Sequence, residues 1–272
     1  MKGTLTRTLK MENINVVIVK DYFAMSQYAA NQIIELVNKQ KGKKVVLGLA
    51  TGNTPIGMYQ ELVKNYRDEK VSFLDVVSFN LDEYYPIDAS HSLSFTSFMK
   101  HYFFDHVDIQ MENVFIPLVE RDSTEKEIQA FCQAYEKKIK TYGGIDLQIL
   151  GIGSNGHIGF NEPGTPFYSR THLVKLTDET IQANGLRENG LEVNQAITVG
   201  IETIMESKKI LLLASGQDKT KIMKQFFERN VTVNLPASIL KKHSNVTIVI
   251  DKGALGAQKI NLLHPSVPKQ QS

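Results

Sequence analysis

The sequence lacks the features that mark secreted and membrane-spanning proteins. Its 272 residues include a single cysteine, Cys132, which excludes an intramolecular disulfide and favours a reducing compartment. The N-terminus has no long apolar segment typical of a secretory signal, and no apolar run approaches the ~20 residues that cross a membrane. We therefore expect a cytoplasmic protein with no membrane partner.

An excess of charge of one sign is also missing. The formal net charge is +2, and no basic block is interleaved with aromatic residues, so nucleic acid is not an expected partner. His101 and His106 flank an aromatic helical face without acidic or thiol partners at ligand spacing, and we predict no metal site. There is no internal repeat and no linker. We predict a single α/β domain over residues 1–272, with residues 1–12 and 265–272 loosely ordered.

Apolar runs alternate with helical patterns along the chain. The runs are continuous rather than alternating, which is typical of strands covered by helices on both faces. This order predicts an α/β three-layer sandwich with an open, mostly parallel, Rossmann-like sheet. The predicted strands are 14–19, 44–49, 74–79, 145–150, 196–199, 210–214 and 246–250. The predicted helices are 22–38, 56–66, 94–104 and 123–142, the last opened by Ser123, and residues 80–90 form a polar loop.

The first motif is LGLATGNTPIG, which ends one predicted strand and opens a helix. Thr51, Gly52, Asn53 and Thr54 offer hydroxyls, an amide and backbone N–H groups at a helix N-terminus, an arrangement that suits a phosphate. The segment lacks the lysine of a Walker loop and the spacing of a dinucleotide fingerprint. Taken alone, it could equally be an ordinary turn between a strand and a helix.

The second motif is SFNLDEYYP, in which Asp82 and Glu83 follow a strand of the buried type. A carboxylate at the end of a strand is well placed to act as a base on a bound ligand. The alternative is a solvated acidic turn.

The third motif is GIGSNGHIGFNEPG, directly after the apolar run 145–150. Its glycines let a ligand approach the backbone closely, and His157 can move a proton near neutral pH. Glu162 is near enough in sequence to orient or polarise His157, and Asn155 can hold a hydrogen bond but cannot act as a base. A satisfied structural histidine is the alternative, but the loop position and the glycines favour a functional one.

The fourth motif is LLLASGQDKTKIM, where Lys219 lies in the first turns of a helix and can reach a phosphate as a point charge. A solvated lysine is the alternative. All four motifs end parallel-type strands, and ligands bind at the carboxyl ends of such strands. A phosphate turn, a carboxylate, a histidine–glutamate pair and a lysine are therefore expected in one cleft.

The same motifs resemble the glucosamine-6-phosphate deaminases of the glucosamine/galactosamine-6-phosphate isomerase family. The resemblance covers about Val45 to Asp251 and rests on LGLATGNTP, FNLDEYYPID, FFDHVDI, GGIDLQILGIGSNGHIGFNEPG, SRT and AITVGI. The pair GHIGFNEP and FNLDEY is specific to this family.

The resemblance implies a hydrolase of amino-sugar metabolism and N-acetylglucosamine catabolism that needs no organic cofactor. It would convert glucosamine 6-phosphate to fructose 6-phosphate and ammonia by aldose–ketose isomerisation with deamination. By resemblance, Asp82 takes the C2 proton and returns it at C1, His157 moves protons during ring opening, and Glu162 is its partner. The phosphate would lie on the 51–54 turn with Lys219.

The sequence departs from the family pattern at several positions. Many members have aspartate where this chain has Asn155, which can still orient His157 but removes a charge. Several members bind the phosphate with an arginine after the Ala-Asn pair of the lid helix, whereas here Arg187 comes one position late for that role. Allosterically regulated members carry basic residues where this chain has His172 and Val174, so we expect no activation by N-acetylglucosamine 6-phosphate.

Two other functions fit parts of the pattern. One is a 6-phosphogluconolactonase, which needs a water-activating base but no enolisation. The other is a sugar-phosphate-sensing domain, which needs the phosphate turn but not Asp82, His157 and Glu162 together. The sequence leaves open the C4 epimer, a homo-oligomeric state and a lid over about 165–186.

Overall fold

The fold is described from a computed structural model, which covers residues 5–11, 14–187 and 192–256. Its strands are β1 (Leu5–Met11), β2 (Ile14–Val19), β3 (Val45–Leu49), β4 (Val76–Asn80), β5 (Asp82–Tyr85), β6 (Val114–Phe115), β7 (Leu147–Leu150), β8 (His172–Lys175), β9 (Gln195–Thr198), β10 (Ile210–Ala214) and β11 (Val246–Asp251). Its α-helices are α1 (Tyr22–Lys39), α2 (Ile56–Arg67), α3 (Phe95–Tyr102), α4 (Glu125–Thr141), α5 (Asp178–Ala183), α6 (Ile201–Met205), α7 (Thr220–Glu228) and α8 (Lys252–Leu255). Short 3-10 helices occupy 104–106, 111–113, 217–219 and 236–242.

Within the described residues, the larger sheet has eight strands in the order β1-β2-β11-β10-β7-β3-β4-β6. Only β1 and β2 pair antiparallel, and all other neighbours pair parallel. Every residue of β3, β4, β7, β10 and β11 is buried. Because successive side chains on a strand point to opposite faces, both faces of the sheet are covered. The predicted α/β architecture with a mostly parallel sheet is confirmed.

The boundaries of several predicted elements agree closely with the structure, because their apolar patterns are long. The predicted strand 14–19 is β2, and the predicted helix 22–38 is α1 with one residue more. The start of α4 was predicted wrongly at Ser123. The N-cap is Thr124, whose side chain accepts a hydrogen bond from the Glu127 N–H while the Glu127 carboxylate accepts one from the Thr124 N–H. This reciprocal capping box fixes the helix start.

A second, antiparallel sheet with strand order β5-β9-β8 was not predicted. We predicted a loop over 80–90 and placed 196–199 in the main sheet. Instead, Asp82 pairs with Thr198 and Tyr85 with Gln195. All four residues of β5 are buried although two are acidic, so their polarity concealed the strand. This sheet matters for the site because β5 begins with Asp82.

The N-terminal expectation was also wrong in part. Residues 5–11, expected to be loosely ordered, form β1 and pair with β2 from Leu5↔Val19 to Met11↔Ile14, because the outer edge of β2 offers unpaired backbone groups. The rest of the predicted loose ends, residues 1–4, 12 and 265–272, lies outside the described residues, and the single domain stays a prediction. None of the helices in the described part of the chain is long and apolar enough to cross a membrane.

Candidate active site

A cleft of about 580 Å³ opens at the carboxyl ends of β10, β7, β3 and β4, which are neighbours in the larger sheet. Residues from all four predicted motifs line it, including Asn53, Asp82, His157 and Lys219. A cleft of this volume can hold a small metabolite. The sequence motifs therefore converge, and Asp82 and His157 lie in the same cleft rather than on opposite sides of the molecule.

The predicted phosphate turn, Thr51 to Thr54, forms one wall of the cleft. Gly52 has a φ of +91°, a conformation that side chains disfavour. Among the described residues, the N–H groups of this turn have no backbone or side-chain acceptor. The turn also precedes α2, whose N-terminus carries a partial positive charge. Free N–H groups at a helix start can hold an anion.

Lys219 lines the same cleft as the turn, but from a 3-10 helix that precedes α7 rather than from the helix itself. Its Nζ lies 3.6 Å from an oxygen of Asp218. Ser215 also lines the cleft, and the buried Asp251 accepts hydrogen bonds from its hydroxyl and from the Gly216 N–H. The end of β11 thus fixes the loop that carries the lysine.

Asp82 is the buried carboxyl group of the cleft, with 7% of its surface exposed. Burial, and then the negative charge of Glu83, raises the pKa of Asp82 to about 8. A Cβ built on Gly159 would lie 3.5 Å from Asp82 Oδ2, so the third motif contributes backbone close to this carboxylate. In its ionised form such a group is a much stronger base than an ordinary carboxylate.

Glu83, the next residue, is fully buried and points to the other face of β5. Its Oε1 accepts hydrogen bonds from the Tyr84 and Phe95 N–H groups, at 3.0 and 2.8 Å. Its Oε2 accepts from the Thr96 N–H at 2.9 Å and from the Thr96 hydroxyl at 3.0 Å. Burial raises the pKa of Glu83, while these donors act against that rise. Glu83 therefore ties the strand that carries Asp82 to the N-terminus of α3.

The imidazole of His157 lies directly over Gly153. A Cβ on Gly153 would be 2.3 Å from ring atoms of His157, so this position must be glycine for the ring to lie where it does. His157 Nδ1 is 3.6 Å from Glu162 Oε2, which is an ion-pair contact longer than a hydrogen bond. Among the described residues Nδ1 has no hydrogen-bond partner.

Glu162 and Asn155 lie behind His157 and do not line the cleft themselves. The Asn155 amide donates to Glu162 Oε2 at 2.7 Å, and its Oδ1 accepts from the His157 N–H at 3.1 Å. Burial alone would raise the pKa of Glu162, but its polar contacts, of which that with His157 is the strongest, lower the pKa to about 2. Glu162 is therefore a carboxylate that can stabilise a protonated imidazole.

Among the described residues, no group of three or more His, Cys, Asp and Glu side chains is placed to hold a metal ion.

Sequence comparison gives this geometry a context. A sequence model of the family described as glucosamine-6-phosphate isomerases/6-phosphogluconolactonase matches residues 20–249. The chain belongs to this family. It is 46% identical over 251 residues to a glucosamine-6-phosphate deaminase of Clostridioides difficile (strain 630), covering 91% of this chain and 97% of that one. It is 47% identical over 243 residues to one of Shouchella clausii (strain KSM-K16), covering 89% and 96%.

Solved structures agree with the family. A monomeric glucosamine-6-phosphate deaminase superposes with a TM-score of 0.83 at 40% identity, covering 88% of this chain and 98% of that one. A 6-phosphogluconolactonase from Plasmodium vivax superposes with a TM-score of 0.70 at 20% identity, covering 90% and 92%, and shows a shared fold only.

Within this family member, α5 and its C-cap supply lining residues that the sequence reasoning missed: Glu179 and Thr180 from the helix, and the C-cap Asn184. The Thr180 hydroxyl donates to Glu162 Oε1, and the Ser154 hydroxyl donates to Glu179 at 2.8 Å. The available signal was the Thr177-x-x-Thr180 pattern, which caps α5.

Three residues at which this chain departs from the family pattern do not line the cleft. Arg187 is not among the lining residues and pairs with Asp178 at 2.8 Å on the surface. His172 and Val174 lie on β8, and the absence of activation by an acetylated sugar phosphate stays a prediction.

Proposed function

We propose that this chain converts glucosamine 6-phosphate and water to fructose 6-phosphate and ammonia. The observation that carries the proposal is the pairing, in one cleft, of a carboxyl group whose pKa is about 8 with a histidine backed by a carboxylate. Two proton-transfer groups with different environments suit a reaction that needs both ring opening and enolisation. The family and the deaminases at 46 and 47% identity support the same reaction.

Ring opening comes first, and we assign it to His157. The imidazole takes the proton of the C1 hydroxyl and delivers one to the ring oxygen, which yields the open-chain aldehyde. The Glu162 carboxylate, 3.6 Å from Nδ1, stabilises the imidazolium that forms in between. Asn155 bonds both Glu162 and the His157 backbone, and so fixes the position of the carboxylate relative to the histidine.

Enolisation follows, and we assign it to Asp82. The C2 hydrogen becomes acidic only when the neighbouring C1 is a carbonyl, so a group distinct from His157 acts at this step. With the substrate's amino group as ammonium, the ionised carboxylate removes the C2 proton while one ammonium proton passes to the C1 oxygen, which gives an enolamine. The protonated Asp82 then returns its proton to C1, which gives an iminium at C2. The burial that raises the pKa of Asp82 makes this carboxylate basic enough for a carbon acid.

Deamination completes the reaction. Water adds to the C2 iminium, the amino group takes a proton and leaves as ammonia, and the C2 ketone of fructose 6-phosphate remains. The C–N bond is thus cleaved by water after an isomerisation. We place the chain among hydrolases for this reason alone. No hydride carrier or electron sink enters these steps.

Substrate binding in this proposal uses other groups that line the cleft. The N–H groups of the 51–54 turn and Lys219 bind the phosphate. A cytoplasmic setting within N-acetylglucosamine catabolism belongs to the proposal, and the single buried cysteine suits a reducing compartment. A homo-oligomeric state stays open, and one solved relative is monomeric.

The test is release of ammonia and formation of fructose 6-phosphate from glucosamine 6-phosphate by the purified chain. Hydrolysis of 6-phosphogluconolactone without ammonia release from the amino sugar would instead identify a lactonase. Binding of the sugar phosphate without turnover of either compound would identify a sensing domain. Running galactosamine 6-phosphate in parallel determines the C4 preference.

A further inference from the structure

Tyr22, the first residue of α1, reaches the phosphate turn from outside all four motifs. Its hydroxyl donates to the Asn53 carbonyl at 3.1 Å and accepts from the Gly57 N–H at 2.8 Å. These two partners lie on either side of the start of α2. One hydroxyl therefore joins the turn to the helix that follows it.

The packing around this hydroxyl is tight on the side of α2. A Cβ built on Gly57 would lie 2.4 Å from Ser26 Oγ and 3.0 Å from Tyr22 Cε1. Only a glycine at position 57 therefore lets α1 pack this closely against α2. Tyr22 also lines the cleft, and 38% of the residue is exposed.

The bond to Asn53 has a consequence for the turn. A trans peptide is planar, and its carbonyl and N–H point in opposite directions. Holding the Asn53 carbonyl on Tyr22 therefore fixes the direction of the Thr54 N–H, which belongs to the cleft-lining turn. The turn needs such support, because within the described residues its own N–H groups make no hydrogen bonds and Gly52 has an unfavourable φ for other residues.

We propose that Tyr22 is a positioning residue that holds the 51–54 turn in the conformation that binds the substrate's phosphate. The proposal rests on the function proposed above. Tyr22 acts through the turn and takes no part in proton transfer at C1 or C2. Its loss is thus expected to weaken binding of ground state and transition state alike, which raises KM and leaves kcat unchanged.

The experiment compares the full chain with the Tyr22→Phe variant, which removes one oxygen and keeps the ring. Inorganic phosphate is titrated against each protein by phosphorus NMR, and KM and kcat are measured for glucosamine 6-phosphate. The variant loses both hydrogen bonds of the hydroxyl, and only the one to the Asn53 carbonyl orients the turn. Loss of that neutral bond predicts about fivefold weaker phosphate binding and about fivefold higher KM, with kcat within about twofold. Tyr28→Phe, on the same helix but outside the cleft, is the matched control and should change neither.

Equal phosphate affinity in Tyr22→Phe and the parent would overturn the proposal, and so would a fall in kcat at constant KM. A parent that binds no phosphate would overturn it as well. A parent that binds phosphate but releases no ammonia would instead refute the proposed function, and the titration would still decide the role of Tyr22. Thermal unfolding of both variants checks that each protein is folded in the comparison.

Discussion

Replacing Glu83 by glutamine is expected to shift the pH dependence of proton exchange at C2 to lower pH. In the parent, the pKa of Asp82 is about 8, first because of burial and then because of the charge on Glu83. Only the ionised form of Asp82 removes a proton, so the exchange rate rises with pH and levels off above about pH 8. At pH 7 about a tenth of the groups would be ionised.

The size of the shift follows from the separation of the two carboxylates. They leave β5 on opposite faces, and two unit charges roughly 8 Å apart at an effective dielectric constant of about 20 repel by about 2 kcal/mol. Removing that repulsion stabilises ionised Asp82, and the rising limb should move down by about 1.5 pH units. The glutamine oxygen can still accept from the Tyr84 and Phe95 N–H groups, but its amide nitrogen would face the Thr96 N–H. We expect that conflict to cost about 1–3 kcal/mol of unfolding free energy, which leaves the variant folded.

The assay is deuterium incorporation at C2 of glucosamine 6-phosphate in D2O, followed by proton NMR across the pH range. Ionisation of the substrate's phosphate and amino groups contributes equally to both proteins, so the difference between them reports on Asp82. Glu112→Gln, the same change at an exposed glutamate, is the matched control and should leave the limb in place. An unmoved limb in Glu83→Gln, or one moved to higher pH, would refute the coupling between these two carboxylates.

Three further predictions concern the groups around the two proton-transfer residues. Gly153→Ala would place a methyl group 2.3 Å from the His157 ring, so kcat for ammonia release should fall by at least about tenfold. Gly151→Ala, where a Cβ meets nothing within 4 Å, should retain far more activity, and equal rates would count against the position assigned to the imidazole. Thr180→Val removes a donor to Glu162 and should raise the pKa of that carboxyl above about 2, as followed by carbon-13 NMR of its carboxyl signal at low pH. Thr180→Ser should restore the parent's pKa, and identical titrations of this carboxyl in all three proteins would exclude this contribution from α5. The folded-state pKa of Asp82 is raised from 3.8 to about 8, so its contribution to stability is present below pH 3.8 and is lost as the pH rises toward 8. Urea unfolding should therefore show the parent losing stability relative to Asp82→Asn over that range, by at most about 1.4 kcal/mol per pH unit, and parallel stabilities would contradict the raised pKa.

The sequence predicted the larger sheet and the convergence of the motifs because both depend on local patterns. Continuous apolar runs such as 210–214 mark strands covered on both faces, and the parallel arrangement then brings their carboxyl ends together. Asp82 and His157 were found because each follows such a strand. These inferences needed no knowledge of contacts distant in sequence.

The remaining parts of the site depend on tertiary contacts that no local pattern encodes. The Tyr22 hydroxyl bonds Asn53, 31 residues away, and Thr180 bonds Glu162, 18 residues away. Strand β5 was missed because two of its four residues are acidic, and the sequence pattern gave no sign that they are buried. Glu83 is stabilised by a backbone donor of α3, and the strand pairs with β9. The polarity of a segment is a poor guide where buried carboxylates have specific donors.

The central claim is that Asp82 removes the C2 proton inside the cleft where His157 opens the ring. Asp82→Asn keeps the shape of the side chain but cannot accept that proton, so C2 deuterium incorporation measured in D2O tests the claim directly. The account predicts no incorporation above the uncatalysed rate, with the dissociation constant for glucosamine 6-phosphate within about threefold of the parent's, a difference below 1 kcal/mol. Incorporation at the parent's rate in this variant would contradict it.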